Sequence, residues 1–136
     1  MAIIIHGSRV LLLKRVSLPF LSHSGIWTFP AGRGNPGEPS LKTAYREVLE
    51  ETGLEKIDLS LLSKQIRVTK VDEERKRIIP NKLYVFRSKK SAVRLDYENT
   101  DYRWASLADI RDEHLYDNVF ADPAFILKVI RKALKK

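Results

Sequence analysis

The sequence predicts an α/β fold, a sandwich of sheet and helices. Three observations carry the prediction. Apolar runs of strand length recur at residues 2–6, 9–15, 64–71 and 82–87. One strongly amphipathic stretch, Ser40–Thr52, stands between the two pairs of runs and stops at Gly53 and Leu54. A second helical pattern closes the chain after Asp122-Pro123. Strands on both sides of a central helix, with a further helix at the end, pack as layers around a common core.

Taken in order, residues 2–6 and 9–15 read as two strands joined by a Gly7-Ser8 turn. Residues 16–25 are rich in Ser, with Pro19 and Gly25, and read as a loop. A short strand at 26–30 delivers the chain to a glycine-rich turn at 32–37, and the central helix follows. Strands at 64–71 and 82–87 flank a polar hairpin tip at 72–77. Pro80 interrupts the entry of the second of these strands and predicts an edge or a bulge there. Residues 88–100 are polar and read as a loop, 101–104 as a final short strand, and Ser106 to Asp109 as a helix cap and first turn. The terminal helix carries Phe125, Ile126, Val129, Ile130 and Leu134 on its apolar side. No internal repeat or linker divides the chain, so residues 1–136 are expected to form a single domain.

The central helix holds the chemistry. At about 100° per residue, Leu41, Ala44, Tyr45, Val48, Leu49 and Thr52 share one arc. Glu47, Glu50 and Glu51 gather within about 100° of one another on the other side. Like charges at these spacings repel by roughly 0.2–0.5 kcal/mol per pair. They also stand at the negative end of the helix dipole, where anions are disfavoured. Arg46, four residues before Glu50, offsets only part of this. Three acids offering only oxygen suit a hard cation, Mg²⁺ or Mn²⁺, better than zinc. Standing alone, the triplet would read as an exposed acidic face.

Composition bounds the rest. Hydrophobic residues at 43% and charged residues at 31% describe an ordinary globular chain of one domain's length. The absence of cysteine fits a cytoplasmic setting, with no disulfide framework and no thiolate chemistry. No apolar run is long enough to span a bilayer, and no secretory signal is recognisable. The net charge of +8 is explained mostly by solvation; attraction of a polyphosphate or an RNA is its functional reading.

Residues 32–54 run Gly32, five residues, Glu38, seven residues, Arg46-Glu47-Val48, one residue, Glu50-Glu51, one residue, Gly53-Leu54. In order and in register, this resembles the signature of the Nudix hydrolases. Ala31 stands where the family commonly shows a second Gly, and Pro39-Ser40 where a Ser or Thr usually opens the helix. The resemblance implies a Nudix-type α/β/α sandwich with a mixed β-sheet between helices, and a MutT-like pyrophosphohydrolase dependent on Mg²⁺, with Mn²⁺ as a substitute. It implies Glu50 and Glu51 as principal metal ligands, and Glu47 as a further ligand or as the base that orients water. Glu38 and Arg46 are implied to pair and brace the loop against the helix, a role that for Arg46 outweighs direct catalysis. A further carboxylate often comes from a later loop, and Glu98 stands where it is expected, with a solvated acid as the equal alternative. Gly53 closes the motif.

Around the motif, Gly32, Gly34 and Gly37 permit close backbone approach to phosphate or metal. Arg15 and Arg33 are candidate phosphate contacts, though surface solvation is the commoner fate of either. Trp27 and Phe29 are read as core before base-stacking, and His6 and His23 have no metal-ligand spacing. The substrate class implied is a nucleoside diphosphate derivative or a nucleoside triphosphate. Thr69 and Val71 stand near the places where the ADP-ribose and diadenosine polyphosphate groups commonly show Pro and Tyr, which argues against both. His23, Gly25, Phe29 and Pro30 partly resemble the coenzyme A pyrophosphatase pattern, with Leu21 where its Arg is expected. The alternatives are therefore an RNA 5′-end or coenzyme A pyrophosphohydrolase, or a non-catalytic nucleotide-binding module. Related folds are often homodimers, and no stretch marks an interface.

Overall fold

A computed structural model describes residues 1–16, 27–72, 76–111 and 123–135. Apolar strand runs end up at the centre because helices cover both of their faces. The strands are β1 (Ala2–His6), β2 (Arg9–Arg15), β3 (Trp27–Thr28), β4 (Leu59–Leu61), β5 (Ile66–Asp72), β6 (Arg77–Ser88) and β7 (Asn99–Ala105). The helices are α1 (Ser40–Thr52), α2 (Leu107–Arg111) and α3 (Pro123–Leu134), with one 3-10 turn at Lys56–Asp58. The sheet runs β3-β2-β1-β6-β4, with β7 added beside β2 and β5 beside the first half of β6. It is mixed: β1 lies parallel to β6, with Ala2 opposite Tyr84 and Ile5 opposite Arg87, and the other pairings are antiparallel.

Alternation along the strands divides the core in two. Ile3, Ile5, Val10, Leu12, Leu83 and Val85 pack toward α2 and α3, with Ile110, Ile126 and Ile130. Ala2, Ile4, Leu11, Leu13, Tyr84 and Phe86 pack toward α1, with Ala44 and Val48. A strand buried on both faces reads as a continuous apolar run, which is why Ile3-Ile4-Ile5 carries no polar alternation. The α/β sandwich is the one expected, and β1, β2 and α1 span the residues predicted.

Several details differ from the sequence reading. Pro80 does not interrupt β6 but sits inside it opposite Thr69. On its other side no strand pairs with this half of β6 among the described residues, so the missing N–H costs no ladder bond. The expected edge is there; the break is not. The 3-10 turn and β4 fall where no element was predicted, because three-residue elements carry no periodicity. β4 exists through its antiparallel register with β6, from Leu59 opposite Ser88 to Leu61 opposite Phe86. Leu49, assigned to the apolar arc of α1, is 44% exposed, and Glu51 from the acidic side is buried at 6%. The buried stripe of α1 is thus rotated toward Glu51. On α3, Leu127 and Ala133 join Ile126 and Ile130 in the core, while Phe125 and Val129 are only partly covered. Asp72 and Arg77, expected in the hairpin tip at 72–77, instead end β5 and begin β6. Residues 17–25 of the expected loop at 16–25, Ile26 at the start of the short strand, residues 73–75 of the tip and the helix-opening Asp122 lie outside the described residues, as do His23, Gly25 and Leu21.

Candidate active site

β3 and the following loop carry the chain to α1, and the junction is tied by one carboxylate. Glu38 accepts from Arg46 Nε at 3.1 Å, from Arg46 Nη2 at 3.1 Å, from Thr43 Oγ1 at 2.7 Å and from the Asn35 N–H at 3.2 Å. Arg46 Nη2 also donates to the Arg33 carbonyl at 2.9 Å. These bonds, the Arg46 guanidinium first, hold the Glu38 carboxyl down at about 2 and raise Arg46 further above its ordinary value. The helix has no side-chain cap at Pro39, so this network supplies the entry that a Ser or Thr would otherwise make. The exit is a left-handed Gly53, whose N–H donates to the Leu49 carbonyl at 2.9 Å.

The three acids of α1 meet different fates. Arg46 Nη1 lies 2.9 Å from Glu47 and 3.2 Å from Glu50, so one guanidinium serves Glu38, Glu47 and Glu50 together. Glu50 points outward, with its side chain 53% exposed. Glu47 is largely covered and its carboxyl is raised, by burial first, with Glu50 and Glu98 adding to the shift. Glu51 turns inward, accepts from the Ala31 N–H at 3.1 Å and makes no salt bridge among the described residues. Burial first, then Glu47, Asp96 and Glu98, push its carboxyl up to about 9. The Met1 amino group, bonded to the Lys82 carbonyl at 3.0 Å, is lowered by its burial to about 6, against the pull of Glu51 and Glu47.

The three carboxylates therefore do not converge as their helical spacing suggested. Among the described residues no three acidic or histidine side chains stand close enough to grip a cation as arranged. The physical reason is competition: Arg46 draws Glu47 and Glu50 one way, and the Ala31 N–H draws Glu51 the other. The donor chemistry nevertheless fits a hard divalent ion. Three carboxylates, those of Glu47, Asp96 and Glu98, bear on a buried Glu51 that lacks a side-chain counter-ion among the described residues, and all four offer oxygen.

Glu98, in the loop before β7, adds to the raising of the Glu47 and Glu51 carboxyls. Asp96 also bears on Glu51, and sequence reasoning missed it. The signal available was its place two residues before Glu98 in the same acidic turn, where Asp96 Oδ1 accepts from the Glu98 N–H at 3.2 Å.

Gly32 has a specific reason to be glycine. A Cβ there would overlap the Glu47 carboxyl. Gly37 adopts a φ of +76° at the turn into the helix. Neither predicted arginine reaches the acids in a described contact: the Arg33 side chain is exposed, and Arg15 Nε is buried without a partner among the described residues. Phe29 is core at 2% exposure and Trp27 packs beside it. His6 bonds the Ser88 carbonyl at 2.9 Å and lies against Trp104. A cleft of about 250 Å³ opens beside Glu47, walled by Gly32, Ser40 and Thr43 on one side and by Pro80 and Lys82 on the other.

The NUDIX domain profile matches residues 1–127. Among curated proteins, the asymmetrical bis(5′-nucleosyl)-tetraphosphatase of Mus musculus is 33% identical over 84 residues, 61% of this chain and 57% of that protein. The RNA pyrophosphohydrolase of Serratia proteamaculans is 49% identical over 37 residues, 27% of this chain and 21% of that protein. The match spans little more than half the length of the mouse relative and less of the bacterial one. Among solved structures, a MutT protein from Methanosarcina mazei Go1 superposes with a TM-score of 0.72 at 27% identity, covering 99% of this chain and 92% of that one. A C. elegans Ap4A hydrolase in a binary complex shares the fold, with a TM-score of 0.71 at 22% identity over 98% of this chain and 92% of that one. No helix among the described residues is long and apolar enough to cross a membrane.

Proposed function

The chain belongs to the Nudix family, and on that premise we propose that it is a divalent-cation-dependent pyrophosphohydrolase. Its substrate is a nucleoside diphosphate derivative or a nucleoside triphosphate, cleaved at the diphosphate linkage by attack of water on phosphorus. The observation that supports this most is the buried Glu51 carboxyl surrounded by Glu47, Asp96 and Glu98. Stability alone would not assemble three acids around a desolvated fourth, because unpaired buried charge is costly.

Glu50 and Glu51, with Glu98 as a further donor, would hold Mg²⁺, for which Mn²⁺ can substitute, leaving Glu47 for the base. Bound there, the cation neutralises charge on the phosphate oxygens and lowers the pKa of water. The remaining roles belong to the chain. Glu47 has its carboxyl raised above the ordinary range and receives the proton of the attacking water. The water oxygen bonds to phosphorus, the anhydride P–O bond breaks, and the bridging oxygen leaves on the other phosphate. Gly32 lets the loop backbone approach Glu47 and fixes where that carboxyl sits. Arg46, through Glu38 and the Arg33 carbonyl, positions the loop on the helix. Arg15 and Arg33 remain the candidates for outer phosphate contacts, with Gly37 shaping the turn. The setting we propose is cytoplasmic, in keeping with a chain without cysteine.

The test is a panel of nucleoside diphosphate derivatives, nucleoside triphosphates, a bis(5′-nucleosyl) tetraphosphate, coenzyme A and 5′-triphosphorylated RNA, each with Mg²⁺ or Mn²⁺. Cation-dependent hydrolysis of at least one is expected, abolished in Glu50→Gln and Glu51→Gln while both variants stay folded. Wild-type turnover in both variants would overturn the metal assignment. Hydrolysis of none would replace the enzyme by a non-catalytic nucleotide-binding module.

A further inference from the structure

Two cations stand opposite each other on the ribbon formed by β5 and β6. Arg67 and Lys82 are direct cross-strand partners, so their side chains leave the same face. Like charges in that relation repel, and a ribbon selected for stability would pair opposite signs. Both residues are exposed, and neither makes an ion pair among the described residues.

The face they share is the one toward α1. Along β6, Tyr84 and Phe86 enter the core beneath α1, and Leu83 and Val85 enter the other core. By the two-residue period of a strand, Lys82 lies on the side of Tyr84. Lys82 also lines the cleft beside the active site, with Gly32 and Glu47 across from it. Between them Ser40 Oγ, bonded to the Tyr84 hydroxyl at 2.5 Å and to Gln65 Oε1 at 2.9 Å, supplies a polar wall. The cleft thus carries Glu38 and Glu47 in one part of its lining and Lys82 in another, and Arg67 stands beside Lys82 on the neighbouring strand, at the margin of the cleft.

We propose that Arg67 and Lys82 form a polyphosphate-binding subsite, holding the phosphates of the substrate that are not attacked. This rests on the reading of the chain as a pyrophosphohydrolase and adds the residues that select for length of the phosphate chain. The repulsion within the cation pair has the same motive as the repulsion among the acids: each is relieved by the ligand of opposite charge. Cations held apart from the acids also bind the outgoing phosphates without quenching the carboxylates that hold the metal.

Binding of inorganic tripolyphosphate to the metal-free protein, followed by titration calorimetry, tests the subsite without catalysis. The Arg67→Ala/Lys82→Ala double variant is expected to lose about tenfold or more in affinity, and Arg67→Lys/Lys82→Arg to stay within about threefold of wild type. The thermal midpoint of the ligand-free alanine variant should equal or exceed that of wild type, because repulsion has been removed; a purely structural role would lower it. Unchanged tripolyphosphate affinity in the folded double variant overturns the proposal. In turnover, a nucleoside triphosphate and a 5′-triphosphorylated oligoribonucleotide distinguish the two carriers of such a chain. A KM raised about tenfold with kcat within about threefold, for whichever is hydrolysed, supports the subsite. A loss confined to kcat argues against it. Should wild type bind tripolyphosphate through these residues yet hydrolyse nothing, the catalytic reading fails and the subsite stands.

Discussion

Replacing Gly32 by Ala isolates the placement of Glu47 from the stability of the fold. The added Cβ would overlap the Cδ and both carboxylate oxygens of Glu47, so the Glu47 side chain must swing away. Gly32 lies in an exposed part of the loop and does not adopt a positive φ, so the backbone accepts alanine without strain. The cost to folding is the loss of one partly exposed contact between Glu47 and Arg46, 2.9 Å in the native arrangement. A surface change of this kind stays within about 0.5–1 kcal/mol. The cost to catalysis is larger, because a misplacement of about 1 Å in a reacting or positioning group lowers rate by about 100-fold. The assay is kcat with Mg²⁺ on the substrate found in the panel, beside a thermal melt. We expect kcat to fall about 100-fold with the midpoint within about 3 °C of wild type. Gly53→Ala provides the opposite case: its φ of +75° penalises any Cβ, so it should lose about 1 kcal/mol of stability and little kcat. A Gly32→Ala enzyme with native kcat would refute the argument that the bare glycine backbone sets the position of Glu47.

Other outcomes follow from the same geometry. Glu51→Gln replaces a carboxyl that burial and its acidic neighbours keep protonated in the metal-free protein, and the amide oxygen can still accept from the Ala31 N–H, so the metal-free melting temperature should hold as activity disappears; a large drop would show that the carboxyl itself supports the fold. Addition of Mg²⁺ to chelator-treated protein should raise the melting temperature, by an amount equivalent to about 2.7 kcal/mol at 100 times the dissociation constant, and the rise should vanish in Glu51→Gln. A melt series with pH reads the depressed acids. Glu38 is held at about 2, and Asp58 and Asp109 are lowered by hydrogen bonds from the Glu55 N–H, Ser106 and their basic partners. A carboxyl depressed in the folded state stabilises it above its ordinary value near 4 and loses that contribution as pH falls through the folded value. The melting temperature should therefore decline from about pH 4 toward pH 2, and Glu38→Gln should flatten that decline. An unchanged acid limb in Glu38→Gln would count against the Glu38–Arg46 brace.

Much of the scaffold was legible because it is encoded over a few residues. The termini of α1 follow from a 3.6-residue period and from the stop signal at Gly53. β1 and β2 follow from apolar runs separated by Gly7 and Ser8, and the cap of α2 from Ser106 and Asp109, which bond each other's backbone N–H groups at 3.2 and 3.0 Å. The pairing of Glu38 with Arg46 was implied by the motif and is a structural fact. β4, by contrast, has no local signal, since it is three residues held by register with β6. Asp96 was in view two residues before Glu98, but only the folded loop shows that its charge bears on Glu51.

The sequence by itself determined the kind of chemistry: three acids on one helix, the glycines before it, and a signature that names the reaction class. Periodicity could place Glu47, Glu50 and Glu51 on one side of α1, because side-chain direction is local. It could not decide which of them is buried, because burial is contributed by partners far away in the chain. The Ala31 N–H, 20 residues upstream, turns Glu51 inward, and Arg46 gathers Glu47 and Glu50 while bracing Glu38. The loop at Asp96 and Glu98, more than forty residues downstream, supplies the neighbouring charge. The cation pair of Arg67 and Lys82 likewise exists only through the register of β5 against β6. Local spacing chose the acids; the tertiary structure divided them between the interior, the guanidinium and the cleft.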